Sequence, residues 1–323
     1  MNRKNAGAFF GTLCGLTALT AMSAEIFYDF SINTKSPIHM SKLNNLVQKV
    51  TNTSGSEEDA SEKYSGLTGT PEMKKWYNEH GEDVYIMSDS LRLHGKIFKN
   101  NSSKYVIVCH GYTSKAKHMA GFVNKFYSLG YNVLAADARA HGDSEGTKIG
   151  MGWPERFDVI EWIKLIISWE PNAQIILHGV SMGAATVLMA SGEELPENVK
   201  VIIADCGYTS EWDEFKCEAN ALHIPWFPVL NAASVMSRLR DGYDFKQASA
   251  LEKVKQSRIP TLFIHGSDDE LVPYSMLDKL YSAAACEKEC LTVNGAGHAL
   301  SSSVEPELYW NTVESFIEKY SEK

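Results

Sequence analysis

The chain has 323 residues, 44% hydrophobic and 22% charged, with a formal net charge of −9. This is the composition of a globular protein with a large core. The acidic balance, with no Lys/Arg cluster interleaved with aromatics, excludes nucleic acid as a partner.

Asn2-Arg3-Lys4 is a short basic start, and the uncharged run Ala6 to Ala24 that follows approaches the length a helix needs to cross a bilayer. Residues 1–30 therefore carry two readings. One is a retained signal anchor with Phe27, Tyr28 and Phe30 as interfacial aromatics; the other is a signal peptide cleaved near the small residues Ala21 and Ser23. Both export the rest of the chain, which is then held at the cell membrane with an extracytoplasmic domain or secreted. Residues 31–75 are polar, centred on Thr51-Asn52-Thr53-Ser54-Gly55-Ser56, and read as a spacer ahead of a folded domain over 76–323.

Val84 to Met87 and Leu91 to Phe98, joined by Ser88-Asp89-Ser90, predict an antiparallel hairpin. Short apolar or β-branched runs follow at Lys104 to Cys109, Tyr131 to Ala136, Ala173 to Leu177, Val199 to Ala204, Ile259 to Ile264 and Cys290 to Val293. Between and after them lie stretches with helical spacing: His118 to Leu129, Trp153 to Trp169, Met182 to Ser191, Tyr274 to Ala284 and Pro306 to Tyr320. Such alternation predicts an α/β fold, a mostly parallel central sheet with helices on both faces, entered by the hairpin. Over about 207–250 the rhythm breaks and Trp212, Phe215, Leu222, Trp226, Phe227, Leu230, Tyr243 and Phe245 accumulate. That segment predicts a lid whose aromatics cover the site and bind an apolar group.

Of the six cysteines, Cys109 and Cys206 fall at strand ends and read as buried free thiols. No C-x-x-C spacing suggests a metal or dithiol site, and Cys206–Cys217 or Cys286–Cys290 disulfides stay open outside the cytoplasm.

His178-Gly179-Val180-Ser181-Met182-Gly183 stands directly after an apolar strand and before an Ala/Met/Leu-rich helix. A G-x-S-x-G pattern alone arises by chance in roughly one chain in ten of this length. A second match, Gly142-Asp143-Ser144-Glu145-Gly146, lies here between loops with no clean helix start after it. Context therefore selects Ser181 as a nucleophile on a strand-to-helix turn and leaves Ser144 in a loop.

A serine needs a base, and the base needs a carboxylate to fix its tautomer. In a sheet of this kind the chain order is Ser, then acid, then His, which leaves His223, His265 or His298. His298, in Gly295-Ala296-Gly297-His298 after the last predicted strand, is favoured; His265 ends its own strand and His223 belongs to the lid. Gly266-Ser267-Asp268-Asp269-Glu270 supplies the acid, with Asp269 preferred, Asp268 close behind and Asp205 a third candidate at a neighbouring strand end. The oxyanion needs two donors, and the Met182 N–H and the Tyr112 N–H of His110-Gly111-Tyr112 are the predicted pair. No ligand cluster or phosphate-binding glycine loop suggests a metal or organic cofactor.

Val108-Cys109-His110-Gly111-Tyr112, the run Asp137 to Gly146, the Ser181 turn, Gly266 to Pro273 and Gly297-His298 together resemble the α/β-hydrolase fold from Trp76 to the C-terminus. Ile149 to Trp153 and Asp205 to Ser210 resemble bacterial membrane-anchored or exported hydrolases of the serine aminopeptidase-like clan. The resemblance implies Ser181 as nucleophile, Asp269 as acid and His298 as base. It departs at Ala140, where a glycine often precedes the His-Gly pair. The expected function is a serine hydrolase acting through an acyl-enzyme on an ester with an apolar portion. A peptidase or thioesterase of the same fold, or a noncatalytic binding protein that retains it, are the alternatives.

Overall fold

The computed structural model describes residues 18–42, 65–221, 223 and 225–321. The strands are β1 (Glu82–Ser88), β2 (Leu91–Phe98), β3 (Lys104–Cys109), β4 (Asn132–Ala136), β5 (Gln174–Val180), β6 (Val199–Asp205), β7 (Thr261–Gly266) and β8 (Lys288–Val293). They form one eight-stranded sheet in the order β1-β2-β4-β3-β5-β6-β7-β8. The hairpin β1–β2 and its junction with β4 are antiparallel, and every other pairing is parallel. Asp89 and Ser90 link the hairpin with φ of 47° and 64°, the left-handed pair that matches the twist of adjoining strands.

Because successive side chains point to opposite faces, the central strands bury both. Ile107, Leu134, Leu177, Ile202 and Phe263 face one layer, and Val106, Val108, Val133, Ile203 and Ile264 face the other. The first layer contains α3 (Glu155–Trp169) and α4 (Met182–Ala190), and the second α2 (Ala120–Ser128) and α8 (Pro306–Ser321). Ahead of the sheet α1 (Pro71–His80) starts with Pro71 and is capped by Thr70, whose hydroxyl accepts the Met73 N–H at 3.4 Å. Between β6 and β7 lie α5 (Glu211–Ala221) and α6 (Val229–Asp241), the lid; α7 (Ser275–Ala283) follows β7.

The N-terminal expectations need correction where residues are described. Residues 18–31 are helical, and Ala24, Tyr28 and Ile32, spaced by four, form one stripe buried in the main core. Tyr28 is not interfacial: its hydroxyl donates to Asp241 Oδ2 at 2.7 Å. Phe27 packs edge-on against Phe215 of α5, centroids 5.1 Å apart. The start of the expected spacer is docked as well. Ile149 N–H donates to Ile32 O at 3.0 Å, Thr34 N–H to Thr147 O at 2.9 Å, and His39 is fully buried. Among the described residues no helix is long and apolar enough to cross a membrane. Residues 1–17 of the expected anchor and 43–64 of the expected spacer lie outside the described residues.

The five described cysteines, Cys109, Cys206, Cys217, Cys286 and Cys290, are all free thiols, the first two buried.

Candidate active site

Ser181 occupies the single residue between β5 and α4, with φ 57° and ψ −118°. A non-glycine residue rarely holds such a conformation, and here the neighbours impose it. A Cβ on Gly179 would overlap the Gly183 carbonyl and come within 2.6 Å of Ala184 N; one on Gly183 would overlap the Cys109 carbonyl and reach 2.6 Å from its carbon. Both glycines therefore let β3, β5 and α4 meet at van der Waals distance. The Ser181 N–H donates to Asp205 O at 2.9 Å, which ties the turn to the end of β6.

The hydroxyl that this turn presents meets the predicted histidine. His298 Nε2 lies 2.9 Å from Ser181 Oγ, and its Nδ1 lies 2.8 Å from Asp269 Oδ2. Asp269 Oδ1 accepts the Leu271 and Val272 N–H groups at 3.0 and 2.9 Å. Burial works against the Asp269 charge. Hydrogen bonds from His265 and His298, the His298 charge and the Val272 N–H outweigh it and hold the carboxyl at about 2. Of the other acid candidates, Asp268 is exposed and hydrogen-bonds Ser267 Oγ at 2.6 Å. Asp205 is buried, accepts from Ser301 Oγ at 3.2 Å, and is pushed up to about 6 by that burial. His223 is exposed between α5 and α6.

His265 has a part that sequence reasoning did not give it. Its Nε2 lies 2.9 Å from Val272 O and 3.2 Å from Asp269 Oδ2, so Asp269 faces two imidazoles. The available signal was its place at the carboxyl end of β7, one strand from Asp205.

The predicted oxyanion donors lie on either side of Ser181. A Cβ on Gly111 would touch Ser181 Cβ at 3.4 Å, so the loop after β3 passes directly over the serine. Among the described residues neither the Tyr112 nor the Met182 amide has an acceptor. The Tyr112 hydroxyl donates to Ser31 O at 2.7 Å, which fixes the loop to the N-terminal segment.

Ser144, the competing serine, is a brace. Its hydroxyl donates to Asp137 O at 2.7 Å and accepts the His94 N–H at 2.9 Å. Ala140, the departure from the family pattern, has φ 61°, the left-handed region in which glycine is unstrained.

Two groups of described residues bring three metal-ligating atoms within 4.8 Å: Cys206, Asp269 and His298, and His94, Asp137 and Asp143. In each the histidine and an aspartate already bond one another, at 2.8 and 2.7 Å.

Residues 100–247 match the family described as serine aminopeptidase, S33. The uncharacterized protein YqkD of Bacillus subtilis is 30% identical over 219 residues, which cover 67% of this chain and 72% of that protein. The chain belongs to the serine aminopeptidase-like α/β-hydrolases. The lysophosphatidylserine lipase ABHD12 of Macaca fascicularis is 28% identical over 213 residues, 65% of this chain and half of the lipase. An esterase of Pyrococcus furiosus, Pf2001, superposes with a TM-score of 0.63 at 26% identity over 76% of this chain and 94% of its own.

In this hydrolase Ser181 and His298 open into a cavity of about 280 Å³. Its apolar wall comes from Met40, Leu67, Met119, Met151, Tyr208 and Leu271, and α5 adds the carboxyl groups of Glu214 and Glu218. The aromatics expected to cover the serine do not line it. Phe215, Leu230 and Phe245 are buried in the core, with Phe215 against Phe245 at 5.1 Å, and Trp212 packs on Trp226. Phe227 is 66% exposed. Phe215, Leu230 and Phe245 fasten the lid to the body, and α5 turns its acidic face, not its aromatic one, toward the cavity.

Proposed function

We propose that this hydrolase cleaves an ester with an apolar portion through an acyl-enzyme on Ser181. The observation that carries the reading is the unbroken hydrogen-bonded line Asp269–His298–Ser181, with links of 2.8 and 2.9 Å. Ser181 Oγ attacks the carbonyl carbon while its proton passes to His298 Nε2, and Asp269 stabilises the imidazolium at Nδ1. The carbonyl oxygen takes up the negative charge and accepts the Tyr112 and Met182 N–H groups. As the tetrahedral adduct collapses, His298 returns the proton to the departing alkoxide and the acyl group stays on Ser181. Water then attacks the acyl carbon, loses its proton to His298, and the acid leaves as Ser181 is reprotonated.

The apolar lining of the cavity supports an acyl or alkyl chain of modest size. The names of the Pyrococcus esterase and of the ABHD12 lipase favour an ester, while the family description keeps a peptidase as the second reading. A fluorophosphonate should label the protein and fail to label Ser181→Ala; labelling that survives the substitution removes the assignment. Turnover of acyl esters in preference to aminoacyl amides then separates the two readings. For the uncharged stretch that starts at Ala6, after Arg3 and Lys4, and stops short of the buried Ala24, we propose a membrane contact that leaves the hydrolase domain extracytoplasmic. Release of the protein by alkaline carbonate would speak against it.

A further inference from the structure

On α5, Glu214 and Glu218 are one helical turn apart and so share a face, and that face lines the cavity that contains Ser181 and His298. Glu214 is only 3% exposed, and its Oε2 has no hydrogen-bond partner. Among the described residues no lysine, arginine or histidine pairs with either carboxylate. Glu211, also buried and unpartnered, does not line this cavity and takes no part. An apolar ester alone gives no reason for two carboxyls in the wall, because Glu214 is removed from water without a counter-charge and the half-buried Glu218 adds a second acid beside it. Burial pushes the Glu214 carboxyl well up and that of Glu218 to about 7, the response of acids that lack a counter-charge. Tyr112 and Tyr208, whose residue type suits a cation, line the same cavity.

We propose that Glu214 and Glu218 form a cation-binding subsite, and that the substrate carries an ammonium group, primary or quaternary, in the same cavity as its scissile carbonyl. This rests on the reading of Ser181 as nucleophile. A bound ammonium of either kind supplies the charge both carboxylates lack, and a primary one also donates an N–H to the unpartnered Glu214 oxygen, in a cavity whose apolar wall excludes competing water. Esters that are neutral throughout leave both acids uncompensated and bind less well.

The test uses the full chain and two ester pairs that differ in charge. Alanine methyl ester against N-acetylalanine methyl ester places the charge on the acyl side; butyrylcholine against 3,3-dimethylbutyl butyrate places it on the alcohol side. In at least one pair the cationic member is favoured about tenfold or more in kcat/KM, mainly through KM. That ratio collapses toward one in the Glu214→Gln/Glu218→Gln double variant. A second measurement needs neither turnover nor a variant: n-butylammonium slows fluorophosphonate labelling of Ser181 at concentrations where n-butanol does not. Equal protection by amine and alcohol, or equal or better use of the neutral esters, overturns the subsite; turnover abolished by Ser181→Ala then leaves the serine-hydrolase reading standing. Labelling that persists in Ser181→Ala overturns that reading and this one with it.

Discussion

Asp269→Asn is the most discriminating single change at this site, because the surroundings dictate which way the new amide points. Oδ1 of Asp269 accepts two backbone N–H groups, from Leu271 and Val272, at 3.0 and 2.9 Å. An asparagine must keep its carbonyl there, since the reverse orientation sets an NH₂ against two donors. The NH₂ therefore faces His298 Nδ1, 2.8 Å from the present Oδ2, and His265 Nε2, 3.2 Å from it. His298 can then only accept at Nδ1, which leaves the proton on Nε2, where a base must be vacant to take the Ser181 proton. Such a tautomer reversal lowers kcat about 10⁴-fold, or roughly 5.5 kcal/mol of transition-state stabilisation. The assay is hydrolysis of p-nitrophenyl butyrate, with circular dichroism to show that the variant is folded. Retention of activity within about tenfold of wild type would refute the reasoning and turn attention to Asp205 as the partner of His298.

Gly183→Ala should destabilise the fold by about 3 kcal/mol or more, read as a lowered thermal midpoint, because the Cys109 backbone it would strike belongs to a central strand and cannot yield. Ala140→Gly should stabilise by about 0.5–1 kcal/mol, the relief of left-handed strain less the added unfolded-state entropy of glycine, with ester hydrolysis preserved. Glu211 is buried without a partner for either oxygen, and its carboxyl is pushed well above the ordinary range by that burial. The folded state therefore holds a proton that the unfolded state releases, so the Glu211 contribution to stability falls as pH rises above about 4.3. Glu211→Gln should flatten that decline in denaturant titrations at pH 5 and pH 8; parallel curves for the two proteins would contradict the assignment.

Much of the fold was legible because its strands are short apolar runs buried on both faces, and these stand out against the helices between them. The placement of Ser181, Asp269 and His298 was legible for a related reason: each follows a parallel strand, so strand direction alone put them at the carboxyl end of the sheet. Faces were harder to read than elements. The lid aromatics were expected over the serine, whereas Phe215 and Phe245 point into the core and Glu214 points toward Ser181; within an eleven-residue helix such as α5, composition does not say which side turns inward. The N-terminal segment misled for the opposite reason. Tyr28 lies in the segment read as an anchor, and Ile32 and His39 sit among polar residues that resemble a spacer; they meet Asp241, Ile149 and Tyr112, distant partners that local pattern does not reveal. His265 ends its own strand, and its contact with Asp269 arises from a turn that folds the chain back within four residues, a geometry that the strand pattern does not reveal.

The docking of residues 18–39 also constrains when the chain could be processed. A peptidase acting near Ala21 or Ser23 would cut inside a formed helix, directly before Ala24, which is fully buried. It would leave a charged amino terminus beside the core stripe that Tyr28 and Ile32 continue. Proteases need extended substrate, so any cut at that point would have to precede the closing of this helix onto α5 and α6. Under a cleaved-leader reading, maturation and folding would be ordered in time, and a slow-cutting variant would trap its own cleavage site.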